Sequence, residues 1–174
     1  MNLGLLVLRV IVGLLFAGHG AQKLFGSFGG HGISGTGGWF ESAGMKPGAA
    51  LAVGAGAAEL GGGVLLALGL ITPLAAALIT AVMVTAIITV HFPNGVWNSA
   101  NGYEYNLVLI AAVFALAGIG AGSWSLDNAL DIHMTGVGWA LGALAVGLLA
   151  GLAVVVSGRL ESSRGADQGQ AHAA

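Results

Sequence analysis

Apolar residues run along this chain in five long blocks separated by short polar or glycine-rich breaks, at about Leu3–Phe25, Ala49–Leu70, Leu74–His91, Glu104–Gly118 and Thr135–Ser157. About 20 apolar residues at about 1.5 Å per residue cross the roughly 30 Å hydrocarbon core of a bilayer. The pattern therefore predicts an all-α polytopic membrane protein. Five blocks of spanning length predict five transmembrane helices, with short turns making neighbours antiparallel. The second block, AALAVGAGAAELGGGVLLALGL, holds one ionisable residue, Glu59, close to its middle. A carboxylate at that depth costs about 3 kcal/mol on insertion scales, so Glu59 is expected to face the protein interior, protonated or paired. Ala52, Ala55, Gly56, Gly62 and Gly63 share its helical face and allow a neighbouring helix to approach closely.

The polar residues that interrupt the other blocks are the candidate partners. In the first block a signal peptide is the competing reading, but there is no basic n-region and Arg9 sits inside the apolar run. An uncleaved helix is therefore expected. Arg9, Gly13, Phe16, Gly20 and Lys23 lie on one face of it, with His19 one turn before Lys23. Arg9 and Lys23 either extend to opposite interfaces, or Arg9 reaches inward to Glu59 as a buried pair. The connection Ser27–Gly48 is glycine-rich. It contains Trp39-Phe40-Glu41, which suggests a short interfacial segment, and a solvent-exposed His31. Thr72 and Pro73 read as the cap and first residue of the third block.

Because the first and third blocks run the same way, His91 should lie at the same membrane face as His19 and Lys23. The loop that follows adds Trp97, Tyr103 and Glu104 there. Glu104 also suits the first turn of the fourth block, where a carboxylate complements the helix dipole. Ser125-Leu126-Asp127 starts a short amphipathic piece, and Gly138–Gly142 and Gly147–Gly151 are two close-packing spacings in the fifth block.

Composition sharpens this picture. Hydrophobic residues make up 56% and charged residues 7% of the 174, against about 25% charged in soluble domains. Mean hydropathy is +0.91. The 32 glycines fit close helix packing, and a net charge of −2 without a basic patch gives no reason to expect nucleic acid. The absence of cysteine excludes disulfides, thiol catalysis and iron–sulfur ligation by this chain. Any redox role must then use an external cofactor, a lipid-soluble carrier or a partner.

The same residues resemble a family. Leu8-Arg9, Gly13 and Gly18-His19-Gly20-Ala21-Gln22-Lys23-Leu24-Phe25-Gly26 resemble the opening signature of DoxX-family membrane proteins. The likeness continues through Glu59-Leu60-Gly61-Gly62-Gly63, Ile71-Thr72-Pro73, His91-Phe92-Pro93-Asn94-Gly95 and Gly102-Tyr103-Glu104-Tyr105-Asn106 to Ser125-Leu126-Asp127, covering about residues 1–131. It implies a four-helix bundle with recurrent polar positions at Arg9, Lys23, Glu59, His91 and Glu104. Some members are similar to a small subunit of thiosulfate:quinone oxidoreductase, and others are linked to sulfur metabolism or oxidative-stress complexes. The expected organisation is that bundle over residues 1–131, including connection 27–48, then an additional spanning helix over 132–158 and a disordered polar tail over 159–174.

Three functions remain open. One is an accessory or anchoring subunit that holds soluble redox or sulfur-transfer enzymes at the membrane. Another is a quinone-linked oxidoreductase subunit, not active alone. There His91 would hydrogen-bond a quinone carbonyl and Glu104 would orient it or exchange protons, with His19, Lys23, Trp97 and Tyr103 around the pocket and Arg9 with Glu59 as a deeper polar core. The third is a small-solute or proton path through Glu59. Haem held by two histidines lacks a further signature, and no metal site is assigned. The expected partners are the lipid bilayer and, through the glycine-rich helix faces, further copies of the chain. The resemblance implies a multi-pass protein of the bacterial inner membrane, and lysine and arginine near the block ends orient it with the N-terminus outside and the C-terminus in the cytoplasm.

Overall fold

The computed structural model describes residues 2–171, with side chains as far as Arg164. It is all-α: α1 (Asn2–Phe25), α2 (Gly32–Ser42), α3 (Gly48–Leu68), α4 (Thr72–Ala86), α5 (Glu104–Ile119), α6 (Leu126–Ala129) and α7 (Val137–Ala171). A π-helical turn, Ile87–His91, and a 3₁₀ turn, Phe92–Asn94, prolong α4. Four stretches are long and apolar enough to cross a membrane: Asn2–Phe25, Gly48–Leu68, Thr72–Asn94 and Val137–Arg164. The apolar helix α5 is shorter, at 16 residues.

Glycine sets how closely α1 approaches α3. A Cβ built on Gly13 would lie 2.5 Å from the Gly63 carbonyl oxygen, and one on Gly20 would lie 2.4 Å from the Leu60 nitrogen. Gly63 is equally tight, with a Cβ falling 2.4 Å from the Ala17 nitrogen. No side chain fits between these backbones, so α1 and α3 pack face to face with an antiparallel register that sets Gly13 beside Gly63 and Gly20 beside Leu60. Val12 and Phe16 of α1 then join Leu66, Ile79, Val113 and Leu116 in one core.

That register rules out the Arg9–Glu59 pair. Gly20, not Arg9, lies level with the Glu59 turn, so about 11 residues, or about 16 Å of helix rise, separate the two along α1. Arg9 is instead buried at the amino end of the bundle, where it donates through Nη1 to the Ala67 carbonyl at 2.7 Å and through Nη2 to the Trp124 carbonyl. The Ala67 carbonyl belongs to the last turn of α3, whose oxygens have no helical partner and favour a nearby cation.

The start of α4 receives the opposite charge. Asp127 accepts from the Ile71 backbone at 2.7 Å, the Thr72 backbone at 3.1 Å and the Thr72 hydroxyl at 2.6 Å. The capping position is thus Ile71, and Thr72 is the first helical residue. The cap comes from a residue distant in sequence, which is why local pattern misplaced it by one position. Ser125 caps α6, its hydroxyl accepting from the Asn128 backbone.

Two further segments depart from expectation. Much of the glycine-rich connection 27–48 is helical, because α2 rests its Gly37 against the backbone of Gly48 and Ala49 and buries Phe40. Glu41 accepts from the Gly48 backbone at 3.2 Å and so helps start α3. The polar stretch after Ser157, expected to be irregular, continues α7 to Ala171. No proline interrupts it, and an Arg164–Glu161 pair at 2.9 Å spans one turn.

Candidate functional site

Lys23, in the last turn of α1, points across to Glu59 in the middle of α3. Its Nζ lies 2.6 Å from Oε1 and 2.5 Å from Oε2. Gly56, one turn before Glu59, makes room for this: a Cβ there would fall 2.7 Å from Leu24 Cγ and 3.2 Å from Lys23 Cβ. The Glu59 side chain is 5% exposed and that of Lys23 28%. The acid is therefore paired within the protein interior, by Lys23. One ammonium proton of Lys23 and further lone pairs of Glu59 remain free of this contact.

The pair stands between two cavities. An apolar one of about 440 Å³ is bounded by Trp39 and Phe40 of α2, Leu51 and Ala55 of α3, and Val82 and Val154 from α4 and α7. Its polar walls besides the ion pair are Thr85 and Thr89. Both hydroxyls donate to carbonyls of their own helix, Ala81 at 2.9 Å and Thr85 at 2.7 Å, and so ask little of an occupant. A second cavity of about 290 Å³ is lined by His19, His91, Asn98, Tyr105 and Asn106 among apolar neighbours. Lys23, Glu59, Met83 and Ala86 line both. The π-helical turn after α4 carries Thr89 and Val90 to the apolar cavity and His91 to the polar one; such turns recur at functional sites.

The structure thus brings His19, Lys23, Glu59 and His91 around one space. His91 Nδ1 lies 2.7 Å from the Asn101 carbonyl oxygen. A carbonyl can only accept, so Nδ1 carries the proton, and a neutral His91 keeps Nε2 as an acceptor. His19 contacts Gln22, its Nδ1 3.0 Å from Gln22 Oε1, and Gln22 in turn donates to the Phe28 carbonyl. Tyr103 stacks on Phe92 with ring centroids 6.1 Å apart, and Trp97 is exposed.

Glu104 Oε2 accepts from the Asn98 backbone at 2.9 Å, pinning the loop whose Asn98 and Gly102 line the polar cavity. Trp97, Tyr103 and Glu104 therefore shape this loop, while the cavity lining includes Asn98, Gly102 and Tyr105. Arg9 belongs to the other end of the bundle. Among the described residues, no three His, Asp or Glu side chains cluster closely enough to hold a metal ion. Asn98, Tyr105 and Asn106 line the cavity without having been expected there, and Asn106 is the buried one. Its signal was an amide in the apolar block, two positions after Glu104.

A profile of the DoxX family matches residues 4–92. This chain belongs to the DoxX family. The matched region contains Arg9, Lys23, Glu59 and His91, while Glu104, Asn106 and Asp127 lie beyond it. A Bacillus subtilis (strain 168) protein named "Putative oxidoreductase CatD" is 35% identical over 117 residues, covering 67% of this chain and 81% of that relative. No solved structure matches significantly. The DoxX assignment agrees with the polytopic, all-α architecture, and the DoxX-like motifs Gly18–Gly26 and Glu59–Gly63 are the segments that build the ion pair and the tight α1–α3 contact.

Proposed function

We propose that this DoxX-family chain is the membrane subunit of a redox system and holds a lipid-soluble carrier of the quinone class, its head group beside Lys23 and Glu59. The observation that carries the reading is a buried ion pair with free hydrogen-bonding capacity, standing between a polar cavity at the bundle end and a larger apolar one. Each is of a size suited to part of an amphiphile, the polar cavity for a ring bearing oxygens and the apolar one for a hydrocarbon tail. His91 Nε2 is placed to accept from a hydroxyl, and Glu104 positions the loop beside it. With no cysteine in the chain, electrons come from a partner enzyme, which fits an accessory subunit not active alone. The name of the Bacillus relative is in keeping with this.

In the bilayer, α5 is read as a fifth crossing. It runs from the loop at Asn98–Tyr103 to the amino end, where the Gly136 backbone donates to Gly118. Its length of about 24 Å falls only a little short of the hydrocarbon core. Residues 1–131 then form the DoxX-like bundle and α7 is an added span. Lys46, Arg159 and Arg164 lie at the end opposite the N-terminus, which supports a cytoplasmic location for that end.

The test is a mass-spectrometric inventory of lipids and proteins retained by the full chain after mild detergent extraction. An isoprenoid quinone should accompany the protein and be lost from a folded Lys23→Met/Glu59→Leu variant. Retention of soluble enzymes without any quinone, and no uptake of added quinone, would replace this reading with a purely anchoring role.

A further inference from the structure

We propose that Asn106 is the residue that recognises the oxygen-bearing ring in the polar cavity, donating to it when it carries carbonyls and accepting from it when it carries hydroxyls. The inference rests on the carrier reading and names how the head group is held. Asn106 occupies the core-facing stripe of α5 with Leu109, Val113 and Leu116, a stripe otherwise apolar, and is 5% exposed. Yet it lines the polar cavity. Among the described residues its side chain makes one hydrogen bond, from Nδ2 to Met83 Sδ at 3.3 Å. A thioether is a weak acceptor, and an amide offers two donors and a carbonyl oxygen with two lone pairs.

The second amide hydrogen and the carbonyl oxygen of Asn106 have no protein partner among the described residues, and the residue lines the cavity. Of the other walls, Lys23 is a cation and His91 Nε2 an acceptor, each suited to one state of an oxygen substituent, while Asn98 and Tyr105 are exposed side chains. An amide suits both states, because the same side chain donates to a carbonyl and accepts from a hydroxyl. Met83, its internal contact, is one of the residues that line both cavities. A ligand bonded to Asn106 would thus have its ring in the polar cavity beside a residue that walls both. The chemical class this selects is a ring with interconvertible carbonyl and hydroxyl oxygens on a hydrocarbon tail.

The experiment measures binding of decylubiquinone, oxidised and reduced, to the full chain in lipid nanodiscs, with thermal unfolding recorded for each variant. Asn106→Leu should weaken both forms about tenfold, the loss of one well-placed hydrogen bond. Asn106→Asp keeps the size and the acceptor oxygens but removes the amide donors, and should weaken the oxidised form more than the reduced one. If the wild type binds and Asn106→Leu binds equally well, the assignment of Asn106 fails and the carrier reading stands. If Asn106→Asp binds both forms as the wild type does, the proposal fails, an outcome that decides even where Asn106→Leu does not fold. A wild type that binds neither form overturns both readings.

Discussion

Lys23 and Glu59 are held to each other with unequal access to solvent, 28% against 5% of the side chain. That asymmetry governs what each costs to remove. Taking away Lys23 leaves a carboxylate buried without a counter-ion, which in buried pairs costs about 3 kcal/mol or more. Taking away Glu59 leaves a long flexible cation that can turn its head toward water. Lys23→Met should therefore destabilise the protein more than Glu59→Leu, and the double variant should be more stable than Lys23→Met alone. Reversible unfolding in mixed detergent micelles would measure all three. Equal single effects that simply add would show that the two groups do not depend on one another.

Arg9 shows the same physics with another solution. Its guanidinium reaches carbonyls from two separate segments, while Asp127 supplies the matching anion at the start of α4. The α3–α4 turn is thus clamped between a cation at a helix C-terminus and an anion at a helix N-terminus, the two placements the peptide dipoles favour.

At the scale of elements, three consecutive glycines in α3 have different surroundings. A Cβ on Gly61 meets nothing within 4 Å, one on Gly62 comes to 3.1 Å from Leu78 Cβ, and one on Gly63 would strike the Ala17 backbone at 2.4 Å. Gly61→Ala should be neutral or gain up to about 1 kcal/mol from helix propensity. Gly63→Ala must push α1 away and should lose about 3 kcal/mol, the upper range for an overpacked core. The ion pair sits on the same interface, so Gly63→Ala should also loosen Lys23 from Glu59. Equal unfolding midpoints for the two alanine variants would contradict the close α1–α3 packing described above.

The two close-packing spacings in α7 divide in the same way. Gly147 and Gly151 press on Thr80, Ala81 and Val84 of α4, whereas Gly138 and Gly142 meet nothing within 4 Å. Spacing alone shows that a face can pack closely; it does not show whether a neighbour is there.

Across the whole molecule, the turns alternate between two ends. Asn2 accepts from the Ser123 backbone at 3.2 Å at one end, and Lys46 donates to the Gly158 carbonyl at 2.9 Å at the other. Because the chain has no cysteine, single cysteines report topology cleanly. With five crossings, Ser99→Cys and Ser162→Cys should react with an impermeant maleimide from the cytoplasmic side, and Ser123→Cys from outside. Labelling of Ser99→Cys and Ser123→Cys from one side would mean that α5 does not cross.

By itself the sequence determined the membrane class, the long apolar helices, the interior placement of Glu59 and the gathering of His19, Lys23 and His91 at one end. Each follows from hydropathy, helix rise and direction of travel, which are properties of a single segment and its neighbours in order. Only the tertiary structure decided which cation meets Glu59, because that depends on the register of α1 against α3, set by backbone contacts at Gly13, Gly20 and Gly63. It also decided that α2 is a helix, that Asp127 caps α4 from more than 50 positions away, and that Asn106 faces a cavity. Those outcomes rest on surfaces brought together by folding, and no local pattern encodes where a distant surface will lie.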